Sequence, residues 1–487
     1  MKNILKYTSI LFLGTTLASC SDFLDKDPLT NANSTGFLKT EADANKLLIG
    51  CYAKLKEPIL SNGPAQSGNY LYWESLSDNC FNTSNYESFD VVMRGDHSPS
   101  TAGIVSKTWT IGFQGIADCN YFLDNIEGAN IIAATKNKMK GEALFLRAYY
   151  YNELTQLYGD LPLRTTSANL NEDFFKQPRL PKADIVNQIL ADLDLAISYL
   201  PHTAYTNGRV VKGSAIALKT RVLLNNQKFP EAADAAWSLI GDVSNPFELH
   251  DNYSGIFFGE QVNNKEIMFS VQFLAPNDYH SLDQIIGNRM SVFPTQDLLN
   301  AYETGDPRRK MTIFETGDPW AYNPAGFQQA GSFSEGVIPF SGMAFKKWVN
   351  TALNNATGAT LSDQHIVKIR YADLLLMYAE AMFESGQGGD ARALKALNDV
   401  RSREGVNMPD RAALTRENIR QERRVELAFE GLRYNDLIRW GIAETVIPQI
   451  AHNSVGAKRK FKSYFFPIPI GQMDIMKDYW QQNPGWQ

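Results

Sequence analysis

Aromatic residues interleaved with polar ones are the feature of this sequence best suited to binding a ligand. The chain of 487 residues contains 21 Tyr, 27 Phe and 8 Trp. Rigid rings offer flat apolar platforms at a small cost in entropy, and nearby amide or charged groups can fix hydroxyl groups, which is what a sugar site requires. Two loop-rich segments offer this mixture. The predicted ligand-binding residues are Trp73, Asn82 and Tyr86 in the first segment, and Tyr279, Arg289, Trp320 and Tyr322 in the second.

Packing in the core is the alternative for every ring in these segments. Trp320 is preferred because the residues from Gly317 to Pro319 before it predict a turn. The run Leu71-Tyr72-Trp73 could equally be a buried strand. Further candidates in the two segments are Tyr70, Tyr72, Asp78, Asn79 and Phe89, and Asn323, Phe327 and Trp348. Rings on predicted helices are assigned to the scaffold: Tyr149, Tyr150, Tyr151, Tyr371, Tyr378 and Trp440.

Other kinds of chemistry find little support in the sequence. Glu422, Glu426 and Glu430 recur at four-residue steps among arginines, which predicts ion pairs that lock a helix in place rather than a catalytic or metal cluster. The six histidines have no metal-binding spacing, and neither a GxSxG turn nor a phosphate-binding glycine loop occurs. We therefore expect no metal, no cofactor and no enzyme activity. With 53 acidic residues, however, the sequence does not rule out a carboxylate pair at glycosidase separation.

The net charge of −6 gives no basic surface for nucleic acid, and it favours a neutral carbohydrate as ligand. The three cysteines beyond residue 20, Cys51, Cys80 and Cys119, show no CxxC spacing. They are expected to be small buried side chains, with one disulfide at most.

The N-terminus is typical of a bacterial lipoprotein. Lys2 and Lys6 precede an uncharged apolar run that is too short to span a membrane. It ends in Leu17-Ala18-Ser19-Cys20, which predicts a signal peptide at 1–19, lipidation of Cys20 and a tether at 20–36. Several acyl chains would form a durable anchor. A plain secretory signal cleaved near Ala18 is the alternative.

Helical periodicity dominates the rest of the chain. It predicts helices at 41–56, 109–126, 138–158, 185–200, 214–225, 230–240, 367–384, 391–403 and 417–440. Phe229 followed by Ala232 and Ala236 is typical of a tetratricopeptide repeat helix. The expected fold is mainly α, with about four tetratricopeptide-like helix pairs carrying a loop-rich, partly β ligand-binding face. We expect a single domain at 37–487, made of an N-terminal half (37–245), a loop-rich insertion (246–355) and a C-terminal helical part (356–487).

Several motifs, in order along the chain, resemble the SusD/RagB family. They are Cys20 to Pro28; Arg147 to Tyr150 with Leu157 to Leu163; Arg370 to Asp373 with Tyr378 to Ala381; Leu397 to Arg403; Glu422 to Gly441; and Phe466 to Pro469 with Gln482 to Trp486. The motifs extend over nearly the whole mature chain. Residues 246–350 match the family pattern least, so family knowledge of ligand contacts transfers least to that part.

The resemblance implies a cell-surface lipoprotein that is lipid-anchored in a Gram-negative outer membrane. Members of this family cover a SusC-like TonB-dependent transporter and capture oligosaccharides for import, without being enzymes. A RagB-like protein that captures peptides is the alternative within the family. An interaction scaffold that holds a partner in its helical grooves is a third possibility, and an enzyme comes last. The identity of the glycan and the presence of a structural Ca²⁺ are left open.

Overall fold

The structure is a computed structural model that describes residues 38–57, 69–168, 176–280, 282, 292–315, 318–320, 331–332, 342–348, 362–451, 456–476 and 478–486. The predicted signal peptide, the tether with Cys20, and the candidate ligands Arg289 and Tyr322 lie outside the described residues.

Helices dominate the described part of the chain. They are α1 (Glu41–Ala53), α2 (Asn69–Glu74), α3 (Phe89–Arg94), α4 (Ile104–Asn125), α5 (Ala133–Tyr158), α6 (Lys182–Tyr199), α7 (Lys212–Asn225), α8 (Phe229–Ile240), α9 (Gln296–Ala301), α10 (Arg308–Thr312), α11 (Tyr371–Met382), α12 (Ala391–Ser402), α13 (Arg416–Leu427), α14 (Arg433–Arg439), α15 (Ala443–Val446) and α16 (Ile470–Met476). Side chains cap several of them. Thr40 and Asp43, for example, form a capping box that begins α1.

Successive long helices pack against each other from α4 to α8, and α11 extends the row by packing against both α8 and α12. Small residues allow the close approach. A Cβ atom at Gly112 would lie 2.7 Å from Leu154 Cγ, and one at Gly115 would lie 2.6 Å from Tyr150 Cε2. Ala232 and Ala236 on α8 are fully buried, as the repeat pattern predicts. The predicted fold class, mainly α with tetratricopeptide-like helix packing, is confirmed.

Short strands form the remaining regular structure. They are β1 (Cys80–Asn82), β2 (Ile267–Val271), β3 (Val292–Pro294), β4 (Ile313–Glu315), β5 (Pro319–Trp320), β6 (Gly331–Ser332), β7 (Met343–Phe345) and β8 (Ile366–Arg370). The antiparallel pairs are β1 with β3, β2 with β8, β4 with β7, and β5 with β6. Because β1 pairs with β3, the first loop-rich segment is joined to the second, within which β3 also contacts β7.

Two predicted helices are wrong in part. The first residues of the helix predicted at 367–384 form β8, whose β-branched residues pair with β2, and α11 begins only at Tyr371. The helix predicted at 417–440 is broken between α13 and α14. There Phe429 has φ 63° and Gly431 has φ 72°. The ring of Phe429 is fully buried and lies 5.8 Å from that of Phe345, so tertiary packing ends the helix.

One continuous hydrophobic core contains residues from Ala44 on α1 to Trp480 near the C-terminus. The scaffold tyrosines of α5 and α11 are buried within it, as predicted, from Tyr149 to Tyr151 and at Tyr371 and Tyr378. Cys51, Cys80 and Cys119 are free thiols with buried side chains, which confirms their interpretation as small core residues.

Candidate functional site

A cluster of four aromatic rings from α2, α3 and the turn directly before α3 forms the best-defined candidate binding surface. We call Tyr72, Trp73, Tyr86 and Phe89 the ring cluster. Tyr72 stacks on Tyr86 with ring centroids 5.8 Å apart and on Phe89 at 5.6 Å, and Trp73 meets Phe89 edge-on at 5.4 Å. Tyr72 and Phe89 are buried, whereas Trp73 and Tyr86 are half-buried. Two inner rings thus support two outer ones.

The backbone that carries Tyr86 is unusual. Glu87 (φ 48°) and Ser88 (φ 61°) are consecutive non-glycine residues in the left-handed region, which is a strained arrangement. Two contacts hold this backbone conformation in place. Lys107 forms an ion pair with Glu87. A Cβ atom at Gly103 would also lie 2.2 Å from the Glu87 carbonyl oxygen, so only glycine permits this approach. This left-handed backbone sets the direction in which the chain leaves Tyr86 and enters α3.

Buried charges hold the stretch between α2 and β1. Asp78 is 1% exposed, and its two carboxylate oxygens accept hydrogen bonds from Arg433 Nε and Nη2, each at 2.8 Å. Burial opposes ionisation of Asp78, but the hydrogen bond and charge of Arg433 outweigh it and lower the pKa of the carboxyl below its ordinary value. Asn79 donates to Glu74 Oε1 at 2.5 Å and accepts from Arg424 Nε at 2.9 Å. The prediction of Asp78 and Asn79 as ligand contacts is therefore wrong, because both are buried in structural bonds.

Arg459 makes a second connection to this stretch. Its side chain is buried, and it donates to the carbonyl oxygens of Ser75, Ser77 and Cys80 at 2.9, 2.5 and 2.6 Å. Three backbone carbonyl groups are thereby satisfied by one guanidinium group. The ring cluster is thus anchored to C-terminal parts of the chain at Arg424, Arg433 and Arg459.

The glutamates of α13 belong to a deeper charged network. Arg370, 0% exposed, donates to Glu266 at 2.7 Å, to Glu426 at 2.6 Å, and to Glu430 at 2.7 and 2.8 Å. Arg308 donates to Glu422 at 2.5 Å and to Glu426 at 2.8 Å. The prediction that Glu422, Glu426 and Glu430 form structural ion pairs is confirmed, although Glu430 lies in the break after α13.

Lys347 joins this network to the second loop-rich segment. Its Nζ donates to Glu430 at 2.6 Å and to the carbonyl oxygens of Glu426 and Ala428. Burial lowers the pKa of Lys347 to about 7, in spite of the attraction of Glu430. Burial opposes ionisation of Glu430 as well, but the charges of Arg370 and Lys347 outweigh it and lower its pKa.

The other described residues of the predicted site lie outside the ring cluster. Asn82 is 2% exposed, and its amide donates to the carbonyl and accepts from the N–H of Ser84. Tyr279 is half-buried next to Asp278, which forms an ion pair with Lys56. Trp320 lies in β5 with its Cα opposite Gly331, not in the predicted turn. Ligand binding by Trp73, Asn82, Tyr86, Tyr279 and Trp320 stays a prediction.

The prediction that Trp348 offers its ring to a ligand is wrong, because its side chain is 0% exposed. Its indole N–H donates to the Phe429 carbonyl at 2.7 Å, and its ring meets Phe257 at 4.9 Å. Phe89 is likewise fully buried. Sequence reasoning also missed that Arg424, Arg433 and Arg459 anchor the stretch between α2 and β1. The density of arginine in the Glu422 to Gly441 motif was the available signal for the first two.

Two further properties bear on the site. Within the stretches that the structure describes, no group of three or more His, Cys, Asp or Glu side chains is placed to hold a metal ion. None of the helices in those stretches combines the length and the apolar character needed to cross a bilayer.

Comparison with protein families finds two matches that together cover most of the chain. Residues 287–486 match the SusD family, and residues 22–224 match a family described as starch-binding associating with outer membrane.

Individual proteins resemble the chain over nearly its whole length. SusD-like protein P25 of Formosa agariphila is 26% identical, covering 98% of this chain and 97% of its own. A SusD-like protein of Bacteroides fragilis has a TM-score of 0.79 at 24% identity, covering 95% of this chain and 100% of its own. Surface glycan-binding protein A of Bacteroides thetaiotaomicron, solved with laminarihexaose, has a TM-score of 0.75 at 19% identity, covering 91% of this chain and 100% of its own. The two solved structures share the fold described above.

Proposed function

Because the chain belongs to the SusD/RagB family, we propose that it is a cell-surface glycan-binding protein. It captures oligosaccharides and delivers them to a SusC-like TonB-dependent transporter. Lipid on Cys20 anchors the protein to the outer membrane. The observation that carries the glycan-binding part is the ring cluster, in which half-buried Trp73 and Tyr86 rest on buried Tyr72 and Phe89.

The physical reason lies in how a sugar is held. A pyranose presents a flat C–H face, and a ring that is already immobilised loses little conformational entropy on meeting it. Tyr86 is immobilised by stacking and by the left-handed backbone that follows it, and Trp73 is immobilised by Phe89. The complex of a structural relative with laminarihexaose supports a glucan as the first ligand to test.

Affinity electrophoresis in gels containing polysaccharides tests the proposal. We expect the unaltered protein to be retarded by at least one glycan, and Trp73→Ala combined with Tyr86→Ala to weaken the binding about tenfold or more. Trp237→Ala is the matched control, because Trp237 is a half-buried indole on α8 that stacks on Tyr378. Equal retardation of the double variant and the unaltered protein would exclude the ring cluster as the platform. Binding to a peptide digest with none to any glycan would overturn the proposal.

The partner and the anchor need separate tests. Co-purification of a TonB-dependent barrel with the full chain from outer membranes is expected, and Cys20→Ala is expected to release the protein from the membrane. The absence of any barrel in such preparations would contradict delivery to a transporter. Incubation with a bound glycan should release no reducing sugar, since the proposed role is capture without hydrolysis.

A further inference from the structure

A cavity lies on the face of α13 opposite Glu422 and Glu426, where residues 416, 420 and 424 recur at helical spacing. It has a volume of about 420 Å³. We call it the arginine cavity; its lining includes Arg416, Glu417, Arg420, Arg424, Arg433 and Trp440. Four guanidinium groups around one small space is an unusual concentration in a chain whose net charge is −6.

Three of the four arginines are neutralised by acidic partners. Arg416 forms an ion pair with Glu384 at 2.7 Å. Arg424 does so with Asp297 at 2.6 Å, and Arg433 with Asp78 at 2.8 Å. These three side chains therefore have definite positions and already carry counter-charges.

Arg420 differs from the other three. Its half-buried guanidinium group makes no hydrogen bond or ion pair with any residue that the structure describes, and its Nε is buried without a partner. It is nevertheless held in place, because its Cζ lies 4.5 Å from the centre of the Trp440 ring. Trp440 is fixed in turn by donating to Glu380 at 2.7 Å. The cation is positioned, but within the described residues no carboxylate lies at ion-pair distance from it. Glu380 and Glu384 attract it from farther away, and both already form ion pairs with other arginines.

This arrangement is unfavourable for the free protein. Like charges four residues apart on a helix repel each other, and Arg420 has arginine at both such positions, 416 and 424. A buried guanidinium N–H without an acceptor adds a desolvation cost. Glu417 lines the cavity, yet within the described part of the chain it forms no ion pair with Arg420. The longer-range attraction of Glu380 and Glu384 is shared with other arginines, and a local rule broken with so little compensation is typical of a functional site.

We propose that the arginine cavity binds an oxyanion, namely the sulfate or carboxylate group of an acidic saccharide. A guanidinium group stacked on an indole presents its N–H edge for paired hydrogen bonds to such a group. The cavity falls in the range of small-ligand sites, about 300–1,000 Å³, and so has room for the attached sugar. The saccharide part rests on the proposed function, whereas the oxyanion part stands without it. Net charge predicted a neutral glycan, so this site departs from that expectation.

Titration with sodium sulfate, at an ionic strength held constant with sodium chloride, tests the oxyanion directly. We expect saturable sulfate binding by calorimetry and a rise in Tm for the unaltered protein. Arg420→Gln should weaken sulfate binding about tenfold or more, the loss typical of one charge-assisted hydrogen-bonded pair. Arg392→Gln is the matched control, because Arg392 also stacks on an indole, 4.7 Å from Trp237, but is paired with Asp390.

Two outcomes would overturn the oxyanion site. One is the absence of any sulfate effect beyond that of chloride. The other is an equal effect in the unaltered protein and Arg420→Gln. Should Arg420→Gln fail to fold, Arg420→Lys decides, since it keeps the charge and loses the planar fork. Weaker sulfate binding then supports the site, and undiminished binding overturns it.

Matched oligosaccharides separate the possible sources of the oxyanion. Sulfated, uronate-containing and neutral versions of one oligosaccharide are compared on the unaltered protein and Arg420→Gln. Preference for the sulfated or the uronate version, lost in Arg420→Gln, identifies the group. If sulfate binds but no glycan of any charge does, the proposed function fails and the oxyanion site stands alone. If a neutral glycan binds and sulfate does not, the proposed function stands and this inference fails.

Discussion

The two faces of α13 are both rich in charge, and they hold that charge in different ways. On the inner face, Glu422 and Glu426 are 0% exposed, and both receive hydrogen bonds from Arg308. On the outer face, Arg420 stacks on the indole of Trp440 and forms no ion pair with any residue that the structure describes. The difference teaches that the buried carboxylates of this helix are paired with cations where their role is structural. Arg420, which forms no ion pair within the described residues, is therefore the informative position on the other face.

Removing a charge from the inner face should have the largest effect. Arg370→Met leaves Glu266, Glu426 and Glu430 without their shared cation, and a buried pair broken from one side costs roughly 3–5 kcal/mol in the free energy of unfolding. Urea denaturation measures it. Arg392→Met, at an exposed pair, is the control and should leave the free energy of unfolding nearly unchanged, because water and salt screen such a pair. A loss for Arg370→Met as small as that of the control would mean that the network does not stabilise the fold.

A weaker but still clear effect is expected at Asp78, which connects the ring cluster to the outer face of α13. Asp78→Asn removes the charge that neutralises Arg433 and part of that on Arg424, at a cost of about 2 kcal/mol. Glycan affinity should fall with it, because the chain between α2 and β1 loses its anchor. Unchanged stability at neutral pH would contradict the role assigned to this ion pair.

Acid should reduce the difference between Asp78→Asn and the unaltered protein. The pKa of Asp78 is lowered in the folded state, so its contribution is present above its unfolded pKa, about 4, and is lost as the pH falls through the folded pKa. The two unfolding free energies should therefore converge below about pH 4. Measurement of urea midpoints from pH 7 to pH 3 tests this, and a gap that stays constant with pH would argue against the ion pair.

The smallest effect on stability is expected on the outer face. Arg420→Gln removes a repelled, unpaired cation, so in buffer free of multivalent anions its unfolding free energy should lie within about 0.5 kcal/mol of the unaltered protein or above it. Thermal and urea denaturation measure this directly. A loss of about 2 kcal/mol would show that Arg420 is a structural residue and that the two faces do not differ.

Motif and periodicity predict the scaffold well, because helix packing depends on local pattern. The spacing of Glu422 and Glu426 was enough to predict ion pairs on one side of a helix. The position of Glu430 could not be predicted in the same way. Its place in the break depends on the left-handed backbone of Phe429, which is set by burial against Phe345 from another part of the chain.

The candidate site was predicted less well for a related reason. Composition places Trp73, Asp78 and Trp348 alike in polar, ring-rich loops, but the contacts of the last two come from distant residues. Asp78 binds Arg433, and Trp348 donates to the Phe429 carbonyl, so both are removed from solvent by partners that no local window contains. The support of Trp73 by Phe89 is shorter in range, and it keeps the indole half-buried.

The anchoring of the ring cluster by the C-terminal arginines has a consequence for the order of assembly. Asp78 and Arg433 are 355 residues apart in sequence, and Cys80 and Arg459 are 379 apart. Contacts of such long range are costly in loop-closure entropy and slow to form. During synthesis the rings emerge early and wait for partners that emerge near the end. A fragment ending before α13 would carry every ring of the cluster and still lack the platform.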